Sequence, residues 1–212
     1  GAGGADTISL GNADSASDTI YFSSSSGMDI LMQFVAGASN GDILRYTGNL
    51  TDSEGGSANT STGSDGNDQL ISADFVSNAK NTSLDITKLV VGFSTAVTQN
   101  GISGGTAIDF TGAGVSSSVI LGAIETSLES ANDGGGSGLL SGASSAQVVQ
   151  GGTNEKKILL FTDGGSGSAQ DVALVLYDEG SSAEADFNTE LVLASVLKSV
   201  DIATLTHDNF WG

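Results

Sequence analysis

The sequence contains no cysteine and no proline, and it has one histidine in 212 residues. The absence of cysteine excludes disulfide bonds, which fits a protein that leaves the cell without disulfide machinery, although many cytosolic proteins also lack cysteine. The single histidine, His207, excludes a histidine pair and a His-x-x-x-His zinc site. A catalytic role for His207 beside Asp208 is disfavoured against a simple surface position.

Basic residues are also scarce: six Lys and Arg stand against 25 Asp and Glu, which gives a net charge of −19. Such an acidic surface repels phosphate backbones and anionic lipid head groups, so nucleic-acid binding and binding to a membrane surface are both disfavoured. Cations are the natural partners of this chain.

Long apolar runs are absent as well. No stretch approaches the roughly 18–20 consecutive apolar residues of a membrane span, and no basic-then-apolar signal peptide stands at the start. The chain begins with Gly1 rather than Met, so we expect a processed form or a fragment of a longer protein. With 38% hydrophobic residues it can still build a real core.

Short apolar bursts separated by Asp, Gly and Ser fill the first 50 residues, and each has the length of a β-strand. They are "DTISLG", "DTIYF", "MDILMQFVAG" and "GDILRYTGNL". Residues 51–67 contain no apolar residue larger than Ala, which indicates a long polar loop. Strands resume over 69–111 in "QLISADFV", "SLDITKLVVGFS" and "GTAIDFTG".

The hydrophobic period changes at residues 115–130, where apolar residues recur at helical spacing and predict one amphipathic helix. Residues 131–154 are rich in Gly and Ser, as expected of a connector. Three further bursts at 155–163, 171–179 and 189–197 predict an antiparallel meander.

Two nonapeptides, which begin at Gly1 and Gly63, fit the pattern G-G-x-G-x-D-x-U-x, where U is a large apolar residue, apart from Ala2 and Ser64 at the second glycine. Glycines permit tight turns that expose carbonyl oxygens, Asp supplies an anionic oxygen, and U points into the core. Calcium takes six to eight such oxygens, so these turns predict calcium sites. The predicted ligands are Asp6, Asp18, Asp29, Asp42, Asp65 and Asp68, with turn carbonyls from Gly1, Gly4, Gly63 and Gly66.

Each of these aspartates has an alternative role as a turn former that caps its own backbone. We interpret Asp14, Asp133 and Asp163 in that way, whereas Asp6 and Asp68 are favoured as ligands.

The segments "GAGGADTISL", "SDTIYF" and "DILMQFVAGASNGDILRYTG" together resemble the end of a calcium-binding RTX repeat array, with the segment that follows it, in type I secreted bacterial proteins. The last third, which ends in "LTHDNFWG", is similar to the C-terminal meander of many of these proteins. The resemblance implies bound Ca²⁺ and an uncleaved C-terminal export signal, here Asp208, Phe210 and Trp211, that a type I secretion apparatus reads. The matching residues of the first segments are Gly4, Asp6, Thr7, Asp18, Ile20, Phe34, Gly37, Asp42, Ile43 and Leu44.

These observations together predict a mostly β fold, a β-sandwich or β-roll-like architecture of short strands with calcium-binding turns and one short helix near 115–130. The expected regions are a β-rich part at 1–130 with RTX-like turns, the connector at 131–154, and a meander at 155–212 with the export-signal-like tail. They can pack as one domain.

No enzymatic constellation stands out in the sequence. It contains no G-x-S-x-G elbow and no GK[ST] phosphate loop. Carboxylate pairs such as Asp178 and Glu179 are only weak evidence for glycosidase chemistry. That chemistry needs two carboxylates facing the same bond, whereas adjacent strand residues point to opposite faces. We therefore expect a protein that is not an enzyme.

The main expectation is an exported extracellular structural protein that binds calcium and self-assembles, with itself as partner, into a surface layer, filament or matrix. The alternative is the C-terminal export and folding module of a larger RTX adhesin or secreted enzyme. A carbohydrate-binding β domain ranks last, because aromatic residues make up only 6% of the chain. In either leading case the protein is extracellular or on the cell surface, exported without an N-terminal signal peptide, and neither binds nucleic acid nor inserts into a membrane.

Overall fold

The computed structural model of the chain describes residues 4–11, 16–24, 27–37, 40–48, 50, 73–76, 90–99, 106–132, 156–164, 169–178, 189–205 and 209–211. Within these ranges, no helix combines the length and the apolar character that a membrane crossing requires. The predicted polar loop at 51–67 and nearly all of the predicted connector lie outside the described residues.

The fold is mostly β, as predicted, and the predicted helix is present. Strands form a seven-stranded sheet in the order β1-β3-β9-β8-β7-β6-β5 and a three-stranded sheet in the order β10-β4-β2. The elements are β1 (Thr7–Ser9), β2 (Thr19–Phe22), β3 (Asp29–Met32), β4 (Ile43–Tyr46), β5 (Ala73–Val76), β6 (Val90–Ala96), α1 (Ser117–Asn132), β7 (Lys156–Thr162), β8 (Gln170–Asp178), β9 (Leu191–Val200) and β10 (Phe210–Trp211).

The four N-terminal strands alternate between the two sheets and form a parallel β-roll. Strand β1 pairs in parallel with β3 in the large sheet, where Thr7 lies opposite Ile30, 23 positions later. Strand β2 pairs in parallel with β4 in the small sheet, where Thr19 lies opposite Ile43, 24 positions later. We call β1 with β2 the first coil and β3 with β4 the second coil.

The end of the chain supplies a third coil of the same roll. Strand β9 pairs in parallel with β3 and β10 pairs in parallel with β4, and in both pairs the partners are 166 positions apart, as in Asp29 with Ser195 and Leu44 with Phe210. The backbone repeats too, because Gln33 and Ser199, also 166 positions apart, both have positive φ, at 66° and 59°. The last residues therefore retrace the second coil residue by residue.

Asn209 and Phe210 fix this third coil to the second. The Asn209 side chain accepts the Gly37 N–H at 3.1 Å and donates to the Asp42 carbonyl at 2.8 Å and to the Gly37 carbonyl at 3.3 Å. Phe210 is fully buried between the two sheets, together with Leu44 and Leu197. Buried polar groups need hydrogen-bond partners, and Asn209 both finds them and supplies them to the turn at Gly37.

The predicted meander forms as expected and organises the rest of the molecule. Strands β7, β8 and β9 are antiparallel neighbours, and β6 joins β7 in parallel on the far side. The two faces of this sheet are both covered. One core cluster lies between the large sheet and the small sheet. The other contains Phe93, Phe161, Ile120 and Ile124 and lies on the opposite face of the large sheet, which α1 covers.

The segment "GTAIDFTG" differs from its predicted strand. Only an isolated bridge between Thr98 and Ala107 remains there, and turns follow from Phe110. The cause is local, because the Asp109 carboxylate accepts the Thr111 N–H at 3.0 Å and the Asp109 carbonyl accepts the Gly112 N–H at 3.0 Å. Such Asx turns compete with strand pairing and bring the chain round to the start of α1.

We predict that Phe210→Ala lowers the free energy of unfolding by about 3–5 kcal/mol, because it removes a fully buried aromatic side chain that holds the third coil. Val119→Ala on the solvent side of α1, where Val119 is 46% exposed, is the control and changes stability by no more than about 0.5 kcal/mol. Urea unfolding followed by circular dichroism measures both values. Equal stabilities of the two variants would contradict a structural third coil.

Candidate metal centre

The four described aspartates that the sequence predicts as ligands lie at the starts of the roll strands. Asp29 accepts the Asp6 backbone N–H on its Oδ1 at 3.0 Å. Asp42 accepts the Asp18 N–H on its Oδ1 at 2.9 Å and the Val35 N–H on its Oδ2 at 2.7 Å. Each second-coil carboxylate thus binds a backbone amide of the first coil, and we call this arrangement the aspartate ladder.

The burial of Asp29 and Asp42 agrees with their role as acceptors of backbone amides. Asp29 is 7% exposed and Asp42 is 2% exposed, and a buried carboxylate needs hydrogen-bond donors to offset the loss of water. The structure does not gather the four ladder aspartates into a carboxylate cluster. Their assignment as calcium ligands stays a prediction, and so does that of Asp65 and Asp68, which lie outside the described residues together with Gly1, Gly63, Gly66 and Asp208.

Gly4, predicted as a turn residue, lies where the turns of the first two coils touch. Gly4 has φ of 136° and Gly27 has φ of 81°, values that residues other than glycine rarely adopt. A Cβ added at Gly27 would lie 2.5 Å from the Gly4 carbonyl oxygen. Glycine at Gly27 therefore allows the coils to stack at the strand spacing.

Within the described part of the chain, one group of carboxylates has metal-site geometry: Asp109, Asp163 and Asp171, whose nearest oxygens all lie within 4.8 Å of one another. Asp109 stands in the turn before α1, Asp163 directly follows β7, and Asp171 is the second residue of β8. The three carboxylates could hold a metal ion. We call this group the three-aspartate centre.

The backbone of the β7–β8 hairpin sets two of these side chains. The Asp163 N–H donates to the Asp171 carbonyl at 3.1 Å, and the Asp171 N–H donates to the Asp163 Oδ1 at 2.9 Å. The Phe110 N–H donates to the Asp163 Oδ2 at 3.2 Å, which ties the turn before α1 to the hairpin. Both oxygens of Asp163 are therefore oriented by backbone amides.

Thr111 and Ser199 orient the other carboxylates. The Thr111 Oγ1 lies 2.5 Å from the Asp171 Oδ2 and 3.3 Å from the Asp109 Oδ1, so this hydroxyl stands between two of the three carboxylates. The Ser199 N–H donates to the Asp171 Oδ1 at 2.9 Å. Because Ser199 belongs to the third coil, this hydrogen bond connects the Asp171 carboxylate directly to the roll.

The centre lies in a cleft of about 400 Å³ whose lining also includes Gln170 and Lys198. Asp171 is buried, Asp163 is half-buried and Asp109 is exposed, so an ion can enter from the Asp109 side. Burial raises the pKa of Asp163, and the neighbouring charges of Asp171 and Asp109 raise it further, against the lowering effect of the two backbone hydrogen bonds. Crowded anionic oxygens of this kind are stabilised by a cation.

Sequence reasoning did not identify this centre. The sequence predicts Asp163 to be a turn former that caps its own backbone, but its carboxylate accepts amides from Phe110 and Asp171, which lie 53 and 8 positions away. Asp109 and Asp171 were not singled out. One signal was available, because Asp163 and Asp171 frame the Gly- and Ser-rich hairpin "GGSGSAQ", whereas only the folded chain brings Asp109 to them.

The residues considered for acid–base chemistry and for export either make ordinary structural contacts or lie outside the described residues. The Asp178 carboxylate, considered for acid–base chemistry, forms an ion pair with Lys156 at 2.6 Å. Glu179 and His207 lie outside the described residues. Of the predicted export residues, Phe210 is buried, and Trp211 lies opposite Arg45 in the small sheet.

We predict that Asp109→Asn lowers the pKa of Asp163 towards its ordinary value of 3.8, because it removes one of the neighbouring charges. The Asp163 pKa stays above that value, since burial remains. In metal-free protein the raised pKa means that the folded state binds this proton more tightly than the unfolded chain does. Ionised Asp163 therefore costs stability above its raised folded-state pKa. This cost shrinks as the pH falls through that raised pKa, and it is gone below the ordinary value of 3.8.

An NMR titration of the carboxyl carbons in chelator measures this pKa in both proteins. Asp178→Asn is the matched control, because it removes a carboxylate outside the cleft and leaves the Asp163 titration unchanged. An Asp163 pKa that is the same in Asp109→Asn and in the unaltered protein would show that the carboxylates do not interact as the distances indicate.

No protein-family model, no curated protein and no solved structure matches this chain.

Proposed function

We propose that this protein is an exported extracellular structural protein that binds calcium and self-assembles into a surface layer, filament or matrix. The observation that carries the proposal is the three-aspartate centre, which joins the turn before α1, the β7–β8 hairpin and the third coil. In this proposal the protein is not an enzyme, and calcium serves its architecture.

Calcium is the ion that best fits the available ligands. The centre offers carboxylate oxygens and the Thr111 hydroxyl, and the chain has no cysteine and one histidine. Hard oxygen ligands favour Ca²⁺ and Mg²⁺ over zinc or copper. Mg²⁺ demands near-ideal octahedral geometry and keeps several waters, whereas Ca²⁺ accepts irregular sites with mixed protein and water oxygens. Three carboxylates from three separate elements form an irregular site of that type.

The position of the centre indicates what the ion would stabilise. Its carboxylates come from segments 54 and 8 positions apart, and Asp171 also binds the Ser199 amide of the third coil. An ion shared by these segments holds them together and offsets the repulsion among their charges. Metal binding of this kind contributes directly to folding free energy, so the folded state depends on the calcium concentration.

Self-assembly is supported by the charge and by the sheets. A net charge of −19 opposes contact between copies, and divalent cations reduce that repulsion. Among the described residues, the outermost strands of the two sheets are short: β1 and β5 in the large sheet, β2 and β10 in the small one. Free strand edges are favourable sites for association between chains. Export by a type I secretion apparatus through the C-terminal residues, without an N-terminal signal peptide, completes the proposal and rests on the resemblance alone.

One observation favours the second candidate, a C-terminal export and folding module of a larger adhesin or enzyme. The first coil ends both sheets, and further coils of a longer chain would stack on that end in the register that the second coil shows. The mass of the native protein isolated from cells separates the two candidates. A species near the 21.0 kDa of this chain that assembles supports the structural subunit, and a much larger species supports the module.

We predict that calcium raises the melting temperature of the full chain and that chelator reverses the effect. Asp109→Asn weakens calcium binding by about tenfold or more, which corresponds to about 1.4 kcal/mol, because it removes a charged ligand from the exposed side of the centre. Isothermal titration calorimetry measures the affinity, and differential scanning calorimetry measures the stability.

Three further variants separate the centre from the other predicted ligands. Asp178→Asn removes a carboxylate outside the centre and is expected to bind calcium as the unaltered chain does. Asp6→Ala and Asp68→Ala test the ligands predicted from the nonapeptides. A melting temperature and an assembly state that do not respond to calcium or to chelator would contradict the proposed function.

A further inference from the structure

A cavity of about 260 Å³ lies between the two sheets, at the open end of the β7–β8 hairpin, whereas the three-aspartate centre lies at the turn of that hairpin. One wall of the cavity comes from the start of β7, the end of β8 and the residues that lead into β9. The facing wall comes from the end of β4 and the chain just after it, through Tyr46 and Leu50. None of the three carboxylates of the centre lines this cavity.

The size of the cavity limits what it can hold. Clefts that bind drug-sized ligands measure about 300–1,000 Å³. At about 260 Å³ this cavity is just below that range, so it suits one six-membered ring with its substituents and not a longer stretch of polymer. Ser24 and Thr189 are exposed residues of the lining, and they mark the side from which a ligand can enter.

Part of the cavity wall is apolar. Leu50 and Leu176, which are 2% and 4% exposed, belong to the core cluster between the sheets. Tyr46 adds an aromatic ring, which packs against Phe22 with the ring centroids 5.5 Å apart. Gly48 makes room for this ring, because a Cβ there would lie 2.5 Å from the Tyr46 hydroxyl oxygen. Such a wall buries the apolar C–H face of a sugar ring well, since that face is removed from water.

Charged groups of both signs complete the lining, and their charges balance. Two lysines, Lys156 and Lys157, and two carboxylates, Asp178 and Glu190, line the cavity. Lys156 and Asp178 form an ion pair at 2.6 Å, and Lys157 and Glu190 are buried, with 0% and 6% exposure. Burial raises the pKa of the Tyr46 hydroxyl, so this hydroxyl stays protonated and can donate as well as accept a hydrogen bond.

This balance favours an uncharged ligand with several hydroxyl groups. A ligand with a net charge would bring that charge into a cavity whose own charges already balance, and an unbalanced buried charge is costly. Hydroxyl groups both donate and accept, so they can bind ammonium groups, carboxylates and the Tyr46 hydroxyl alike. Two of the six basic residues of a chain with a net charge of −19 line this cavity, which makes its lining neutral in an acidic protein.

We propose that this cavity binds one uncharged hexose ring, either as a free sugar or as the end unit of a glycan. The apolar wall and the Tyr46 ring pack against the C–H face of the sugar, and the charged groups and the Tyr46 hydroxyl bind its hydroxyl groups. Aromatic residues make up only 6% of the chain, which disfavours an exposed aromatic platform. A cavity of this size needs only one ring, so the same scarcity does not oppose it.

NMR titration of the isotope-labelled full chain with glucose, galactose and mannose tests the site. We expect at least one of these hexoses to bind with a dissociation constant in the millimolar range and to shift the amide signals of the cavity residues. The uronic acid and the 2-amino sugar of the same hexose carry one negative and one positive charge, and each should bind at least about tenfold more weakly. Absence of saturable shifts with all three hexoses, or tighter binding of a charged derivative, would overturn the proposal.

Two tyrosines on neighbouring strands provide matched variants. Tyr46→Phe removes the hydroxyl from the cavity and keeps the ring against Phe22, so we expect the hexose dissociation constant to rise by about two- to tenfold. Tyr21→Phe makes the same change on β2, where the side chain is 62% exposed and outside the cavity lining, and it should bind hexose as the unaltered chain does. Equal dissociation constants for the two variants would contradict a contact between the sugar and the Tyr46 hydroxyl.

A bulky side chain at the entrance tests the location. Ser24 is exposed and lines the cavity, so Ser24→Trp narrows the entrance without entering the core, and we expect it to lose hexose binding with little change in melting temperature. Val119→Trp, on the exposed side of α1, is the control and should bind normally. Hexose binding that survives in Ser24→Trp would overturn the cavity as the site.

The methyl glycoside of the hexose that binds best distinguishes the two sources of the ring. Binding of the glycoside indicates the end unit of a glycan, because the anomeric oxygen then points out of the cavity. Loss of binding indicates a free sugar whose anomeric hydroxyl is enclosed.

Discussion

The parallel pairing of β3 with β9 is the contact on which the rest of the structure depends, because it joins the first coils of the roll to the end of the chain. Without this pairing, the strands of the second coil would be unpaired on the side away from the first coil. With it, the large sheet runs from β1 to β5, and the small sheet gains β10 in the same register. Partners 166 positions apart make this a contact of high sequence separation, and such contacts form only after much loop-closure entropy has been lost.

The aspartate ladder shows how one residue type serves two purposes in a chain of this composition. A carboxylate at the start of each second-coil strand accepts the amide that the parallel ladder leaves unpaired at its beginning, and the next coil covers the carboxylate. The acidic charge is thus partly used inside the protein as a backbone acceptor. In the three-aspartate centre, by contrast, each carboxylate has a second anion close by, and among the described residues this is the group of carboxylates whose geometry suits an ion.

Local sequence patterns predict most of the strands and the helix, but they do not predict the turn and the metal centre that depend on tertiary contacts. Alternating apolar residues and turn chemistry were sufficient for the four roll strands, the meander and α1, because these patterns act within a few residues. The turn at Asp109 was missed, since "AIDF" reads as a strand until Asp109 binds the amide of Thr111. The centre was missed because Asp109 meets Asp163 only when the turn before α1 packs on the hairpin. The aspartates at the strand starts are predicted as calcium ligands, and that assignment stays a prediction. The amides that the Asp29 and Asp42 carboxylates accept lie one coil away and could not be read from the local sequence.

One of the positions at which the third coil departs from the first two lies at the start of its strand in the large sheet. Where β1 and β3 begin after or at an aspartate, the equivalent residue of β9 is Ser195, which is 3% exposed and lies opposite Asp29. The Asp29 N–H, which is the second-coil counterpart of the Asp6 N–H, already donates to the Gly27 carbonyl at 3.0 Å. A carboxylate at position 195 would therefore be buried without the kind of amide that Asp29 accepts from Asp6, and burying an unpaired charge is costly. Serine is small and neutral, so the sheet can continue into β8. The change from Asp to Ser therefore marks the point at which the repeating roll gives way to the meander.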